Sequence, residues 1–359
     1  MSSSDPTDPP GGGADTPPSP RTDDPRALAS EALEPGALAT AIGRPGGSTF
    51  TIEGRSAPGL FVLGWLATLT GLGLIVIAVM GGNTMASRVL LIAGMIPLSI
   101  GLIAGAGSQG IERRARGVLP YGGPSPLLVL AASVPVSLIG LVVVGVPLSA
   151  LGVPFDGALG ALISVTIQAG VYVGLVRLLV VDAGALTWHA MGVQRLDRGA
   201  VLEVAGGILW ALPVVLVTAL VASVLLRAVP VDPVSPLPPT GTAVGFALSM
   251  LAGAVVAPFG EEILFRAFAT TAWVQGLGER RGVVIGALVF ALAHVATVSG
   301  SSAGDALQLA LVAFVGRIPI ALALGWLFLR RRSVWASFGL HAAFNAILLV
   351  LAEVVSRSL

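Results

Sequence analysis

Nine mostly apolar runs, each about long enough to cross a bilayer, decide what this chain can become. They lie at 59–80, 87–107, 126–147, 157–181, 203–226, 243–275, 282–299, 304–329 and 334–353. A helix rising about 1.5 Å per residue needs roughly 20 such residues to cross the hydrocarbon layer. In that medium each segment must satisfy its own backbone N–H and C=O groups, which a helix does. The expected fold is therefore an all-α polytopic membrane protein of about nine transmembrane helices. Composition agrees: 55% of residues are hydrophobic, 11% are charged, and mean hydropathy is +0.91. A formal net charge of +1 gives no bulk attraction to nucleic acid. The absence of cysteine removes disulfides, thiolate metal sites and Cys nucleophiles.

Two runs are irregular. The sixth is too long to cross straight, and Pro258 and Gly260 are placed to kink it. The eighth contains Gly316, Arg317 and Pro319, which allow either one broken helix or two short ones. Residues 1–57 are of another kind. Met1–Asp24 is Pro, Gly, Ser, Thr and Asp with no aromatic residue, a composition that cannot bury enough apolar surface to offset ordering. No basic segment followed by an apolar one marks a signal peptide there. The expected organisation is a disordered cytoplasmic tail at 1–57, with a short helix at 27–42, then one group of helices at 58–198 and a second at 199–355.

Arginine sets the expected orientation. Clusters at Arg113, Arg114 and Arg116, at Arg195 and Arg198, at Arg280 and Arg281, and at Arg330, Arg331 and Arg332 follow every second run. The loops at 81–86, 148–155 and 228–242 carry none. With nine crossings, all four clusters fall on one side, and positive residues mark the cytoplasmic side. The expectation is an integral protein of a prokaryotic cell membrane with a cytoplasmic N-terminus.

Against this background Glu261, Glu262 and Arg266 stand out, because they follow a stretch from Ala243 to Phe259 without one charge. His294 lies in the next apolar run, and His341 and Asn345 in the last. Ionisable groups inside a membrane segment are costly and mark functional sites. Residues four apart share a helix face, so Glu262 and Arg266 are expected to pair, leaving Glu261 pointing elsewhere. A buried carboxylate without that partner is suited to proton transfer. Depth agrees: Glu261 lies about 18 residues before the turn at 278–281 and His294 about 15 after it, so an antiparallel hairpin brings them level. The set offers a carboxylate base, an imidazole to hold water, and donors for a developing oxyanion. No Gly-x-Ser-x-Gly elbow and no His-Glu-x-x-His motif is present. Two His and two Glu could also ligate a metal. His189, beside Trp188 in a loop, reads as a solvated or structural histidine.

Three patterns in order, Glu261-Glu262-x-x-x-Arg266, Phe290-x-x-x-His294 and His341-x-x-x-Asn345, resemble those of the CPBP family of intramembrane proteases, which includes CAAX-processing and bacteriocin-processing endopeptidases. The resemblance covers about residues 200–355. It implies an intramembrane endopeptidase acting on a membrane-associated or lipidated peptide. Glu261 and His294 would activate water, His341 and Asn345 would form the oxyanion hole, and Glu262, Arg266 and Phe290 would support them. The family has been described both as glutamate-dependent and as metal-dependent. A metal-free mechanism is favoured here, with one divalent ion such as zinc as the alternative. The implied partners are the bilayer and a peptide substrate, with no nucleic acid. Two other classes would also place charges at mid-depth: a transporter, which usually shows an internal repeat not seen here, and a catalytically idle scaffold or immunity protein.

Overall fold

The computed structural model describes residues 51–117, 120–229, 231, 239–295 and 298–358. The expected helix at 27–42 and most of the tail lie outside the described residues. The compact unit from Gly54 to Leu359 is all-helical among the described residues. Ten helices follow in order: α1 Pro58–Met80, α2 Met85–Arg116, α3 Pro126–Ala150, α4 Ala158–Val176 with a wide turn over Arg177–Val181, α5 Arg198–Ile208, α6 Ala211–Ala228, α7 Ala243–Leu277, α8 Glu279–Ala293, α9 Ala303–Arg331 and α10 Val334–Ser358.

Local chemistry sets the boundaries. Proline opens α1 and α3, where its missing N–H costs nothing. Thr84, Thr242 and Ser302 cap α2, α7 and α9 by accepting from the backbone N–H three residues on. Gly278, at φ 82°, reverses the chain between α7 and α8.

Eight segments are long and apolar enough to cross a membrane among the described residues, α5 and α6 together forming one of them. The run at 282–299 is the exception: its helix, α8, has 15 residues and stops at Ala293. The eighth run is one helix, α9, with Pro319 inside it. The sixth is continuous from Ala243 to Leu277 but not uniformly α-helical. It widens into π-type turns over Leu251–Val256 and Glu262–Thr270. Such turns recur at functional sites because they re-aim side chains without breaking the helix.

Small residues bring the helices together. Gly64, Gly71 and Ala78 recur every seven residues on the buried side of α1. Ser87, Gly94, Gly101 and Ser108 do the same on α2. That period keeps two antiparallel helices in contact along their length, with backbones close enough that a Cβ at Gly71 would meet the Leu98 backbone N at 2.5 Å. The α5–α10 crossing is as close. A Cβ at Gly207 would collide with the Ala336 carbonyl, and one at Gly339 with that of Val204.

Three of the four arginine clusters share one end of the unit. Arg113 donates to the Gly123 carbonyl, and Gly123 packs on Ala185. The loop after α4 then meets the start of α10: Val334 N donates to Gly192 O at 3.0 Å, and Trp335 Nε1 to Gln194 O at 3.0 Å. Arg331 forks onto Glu203 at 2.8 and 3.0 Å. His189 is exposed in that loop.

Candidate active site

The site is built on α7 and closed by α4, α8, α9 and α10. Its central helix carries Glu261 at the end of the α-helical turn Ala257–Glu261 and Glu262 at the start of the second π-type stretch, Glu262–Thr270. Thr270 marks the widened register, its hydroxyl donating five residues back to the Phe265 carbonyl at 2.8 Å. Within this stretch Glu262 and Arg266 lie together, Nη1 to Oε1 3.4 Å, with 1% and 2% of their side chains exposed. The guanidinium also stacks over the Phe290 ring, 4.0 Å from its centroid.

Glu262 has a second partner, which spacing on one helix could not reveal. His341 reaches it from α10, Nδ1 to Oε1 2.9 Å. That contact fixes the ring with Nε2 directed at Glu261, 3.7 Å from Oε2. His294 approaches the same oxygen from α8, Nε2 to Oε2 3.8 Å. Its Nδ1 lies 2.8 Å from the Phe290 carbonyl. A carbonyl only accepts, so Nδ1 carries the hydrogen there, and the neutral ring presents a lone pair at Nε2. The same bond satisfies one of the open carbonyls at the end of α8, so His294 both ends that helix and enters the site.

Thus Glu261, His294 and His341, from three helices, converge on one point. Glu261 Oε2 is sealed from solvent and has no direct hydrogen-bond partner. At 3.7 and 3.8 Å the imidazole nitrogens are too far for direct bonds and near enough for one water to reach two groups at once. Phe290 touches most of the set. Its ring centroid is 4.5 Å from that of His294, 5.7 Å from that of His341 and 5.1 Å from that of Phe265. Asn345 is close but engaged: Nδ2 donates to the Gly253 carbonyl in the first π-type turn at 2.8 Å, leaving one amide N–H.

Two ligands about 2.05 Å from a tetrahedral zinc are roughly 3.3 Å apart, closer than either separation here. Among the described residues, no group of three or more His, Asp and Glu side chains is arranged to hold an ion.

Two groups beside the site carry no motif. Arg317, midway along α9 and half-buried, donates to its own helix at Ala313 O, 3.3 Å away. Its charge acts on both Glu261 and His294. A lone arginine in the middle of an apolar run is itself the sequence signal for it. Tyr172, on α4, is buried with its ring beside Gly260.

Comparison with known families gives one match. Residues 243–347 fit the model described as type II CAAX prenyl endopeptidase Rce1-like, and this stretch holds all seven motif residues from Glu261 to Asn345. No curated protein and no solved structure matches the chain. The segment that carries the site is thus similar to the Rce1-like type II CAAX prenyl endopeptidases.

Proposed function

We propose that the chain is an intramembrane endopeptidase that hydrolyses a peptide bond in a membrane-associated or lipidated peptide. The observation that carries this reading is the 3.8 Å separation of Glu261 Oε2 and His294 Nε2, two acceptors facing one point at membrane depth. A water between them donates one hydrogen to each and keeps a lone pair for the substrate carbonyl. As that lone pair attacks, the hydrogen bonded to Oε2 passes to Glu261. The resulting carboxylic acid then protonates the leaving amine, which restores the carboxylate.

The carbonyl oxygen becomes an oxyanion in this step and needs donors. Asn345 offers its remaining amide N–H. His341 offers Nε2 when its ring carries both hydrogens, a form in which Nδ1 donates to Glu262. Glu262, Arg266 and Phe290 hold these groups in place. Glutamate chemistry is favoured over a divalent ion because base and donors form a complete set.

The test uses purified protein in lipid with a membrane-anchored reporter peptide. Glu261→Gln and His294→Ala are expected to abolish cleavage with fold and peptide binding retained. Asn345→Ala is expected to cost about 10²–10³ in rate, as one oxyanion donor does. Activity should persist after exhaustive chelation. Stoichiometric zinc, with activity lost on its removal and restored on its return, would replace the glutamate mechanism. Equal cleavage by Glu261→Gln and wild type would sink the protease reading.

A further inference from the structure

Glu262 and Arg266 are spaced to close on each other, yet they stop short. Their nearest atoms, Nη1 and Oε1, are 3.4 Å apart. Among the described residues, Arg266 Nη1 and Nη2 and Glu262 Oε2 have no direct hydrogen-bond partner, although all three atoms are sealed from solvent. The same four-residue spacing on the regular helix α10 behaves differently: Arg357 Nη2 donates to Glu353 Oε1 at 2.8 Å. The contrast has a backbone cause. Glu262–Thr270 is a π-type stretch, and its wider turn carries residues four apart out of line with each other.

Arginine keeps its charge in a protein, so the open guanidinium has to be satisfied where it stands. Phe290 covers one face, 4.0 Å from its ring centroid, and offers nothing to the N–H groups in the guanidinium plane. Glu262 Oε1 is committed to His341 Nδ1 at 2.9 Å, which leaves Oε2 as the free acceptor. Carboxylate oxygens are about 2.2 Å apart, so with Nη1 3.4 Å from Oε1, Oε2 lies at most about 5.6 Å from Nη1. One small molecule at about 2.8 Å from each of two partners spans up to about 5.6 Å.

The occupant has to accept from a guanidinium and donate to a carboxylate. A cation would be repelled by Arg266 and an anion by Glu262. A neutral donor and acceptor one heavy atom across is water. Buried waters make about three hydrogen bonds to otherwise unpartnered groups, and three such atoms lie here. We infer that one resident water bridges Arg266 Nη1 and Glu262 Oε2. It shares no partner with the water proposed between Glu261 and His294. It holds Oε2 as a direct guanidinium fork would, without drawing Oε1 away from His341. The widened turn thus keeps the counter-ion one water away, so that a single carboxylate can both balance Arg266 and orient His341. Neither the site nor its occupant depends on the proposed reaction.

Two measurements test this, and both stand whether or not peptides are cleaved. A crystal structure of the full-length protein in lipid, at a resolution that shows ordered water, should place a density peak within hydrogen-bond distance of both Arg266 Nη1 and Glu262 Oε2. Ordered side chains with no peak between them, or a guanidinium bonded directly to both Glu262 oxygens, overturn the inference. Infrared spectroscopy in lipid, with oxygen-18 water exchanged in, reads internal water by the isotope shift of its O–H stretch. One such band is expected to persist in Glu261→Gln and to move to weaker hydrogen bonding in Glu262→Gln, where an amide NH2 replaces the acceptor Oε2. A water band that moves with Glu261→Gln and stays fixed in Glu262→Gln belongs to the other carboxylate and overturns the inference. Should Glu262→Gln fail to fold, the wild-type crystal structure decides alone.

Discussion

The Nδ1 atom of His341 lies 2.9 Å from Glu262 Oε1, joining α7 to α10. Glu262 is thus more than the counter-ion of Arg266: it also sets the direction of an imidazole. Glu262→Gln keeps the size and an acceptor but removes the charge, and a charge-assisted bond is about twice as strong as a neutral one. The expected result is a 10- to 100-fold loss of kcat, roughly 1.4–2.7 kcal/mol in the barrier, with KM little changed. Steady-state cleavage kinetics on purified variants check this; an unchanged kcat would show that His341 needs no such hold.

Arg266 has two contacts to lose, the Glu262 carboxylate and the Phe290 face. Removing one partner of a buried pair strands the other, at about 3–5 kcal/mol. Arg266→Ala should therefore lower the unfolding temperature and the folded yield along with activity. Arg266→Lys keeps the charge but not the planar stacking, and should fall between. Thermal unfolding in lipid or detergent measures the order, and equal stability of all three would contradict it.

Arg317 is the second cation at the site, and its charge reaches both Glu261 and His294. Without it, the developing oxyanion and the base lose a fixed positive charge in a medium that screens little. Arg317→Gln is expected to cost roughly tenfold in kcat, and Arg317→Lys much less. Since its direct hydrogen bond goes only to its own helix, folding should be retained in both. Parallel activity and unfolding curves test this; a Lys variant as impaired as Gln would argue against a charge effect.

The common end formed by the loop at 186–197, the end of α9 and the start of α10 gathers arginines. Positive residues concentrate on the cytoplasmic side, so this end is expected to face the cytoplasm. Leu196, 73% exposed in that loop, is a suitable reporter. In a chain without native cysteine, Leu196→Cys should react with an impermeant reagent only from inverted vesicles. Labelling from intact cells would reverse the orientation.

Much of this was legible from pattern. Apolar runs give helices because the bilayer leaves the backbone no alternative, and three spaced polar motifs identify which helices must meet. What escaped has physical causes. The run at 282–299 stays apolar beyond residue 293, but the His294 side chain takes the Phe290 carbonyl and the helix ends there. Pro319 suggested a break in α9, yet the helix continues past it. The bond between His341 and Glu262 joins residues 79 apart and has no local signature.

The Glu262–Arg266 pair lies within one helix, and that matters for how the protein is made. A bare charge such as Arg at the centre of an inserting helix costs about 2.5–3.5 kcal/mol. A partner supplied by α10 would come too late, because α10 is synthesised after α7 has entered the membrane. Placed one turn apart, the two charges can neutralise each other as soon as α7 forms, before His341 exists in the growing chain. The pairing that later orients an imidazole would thus serve first as the helix's passport into lipid.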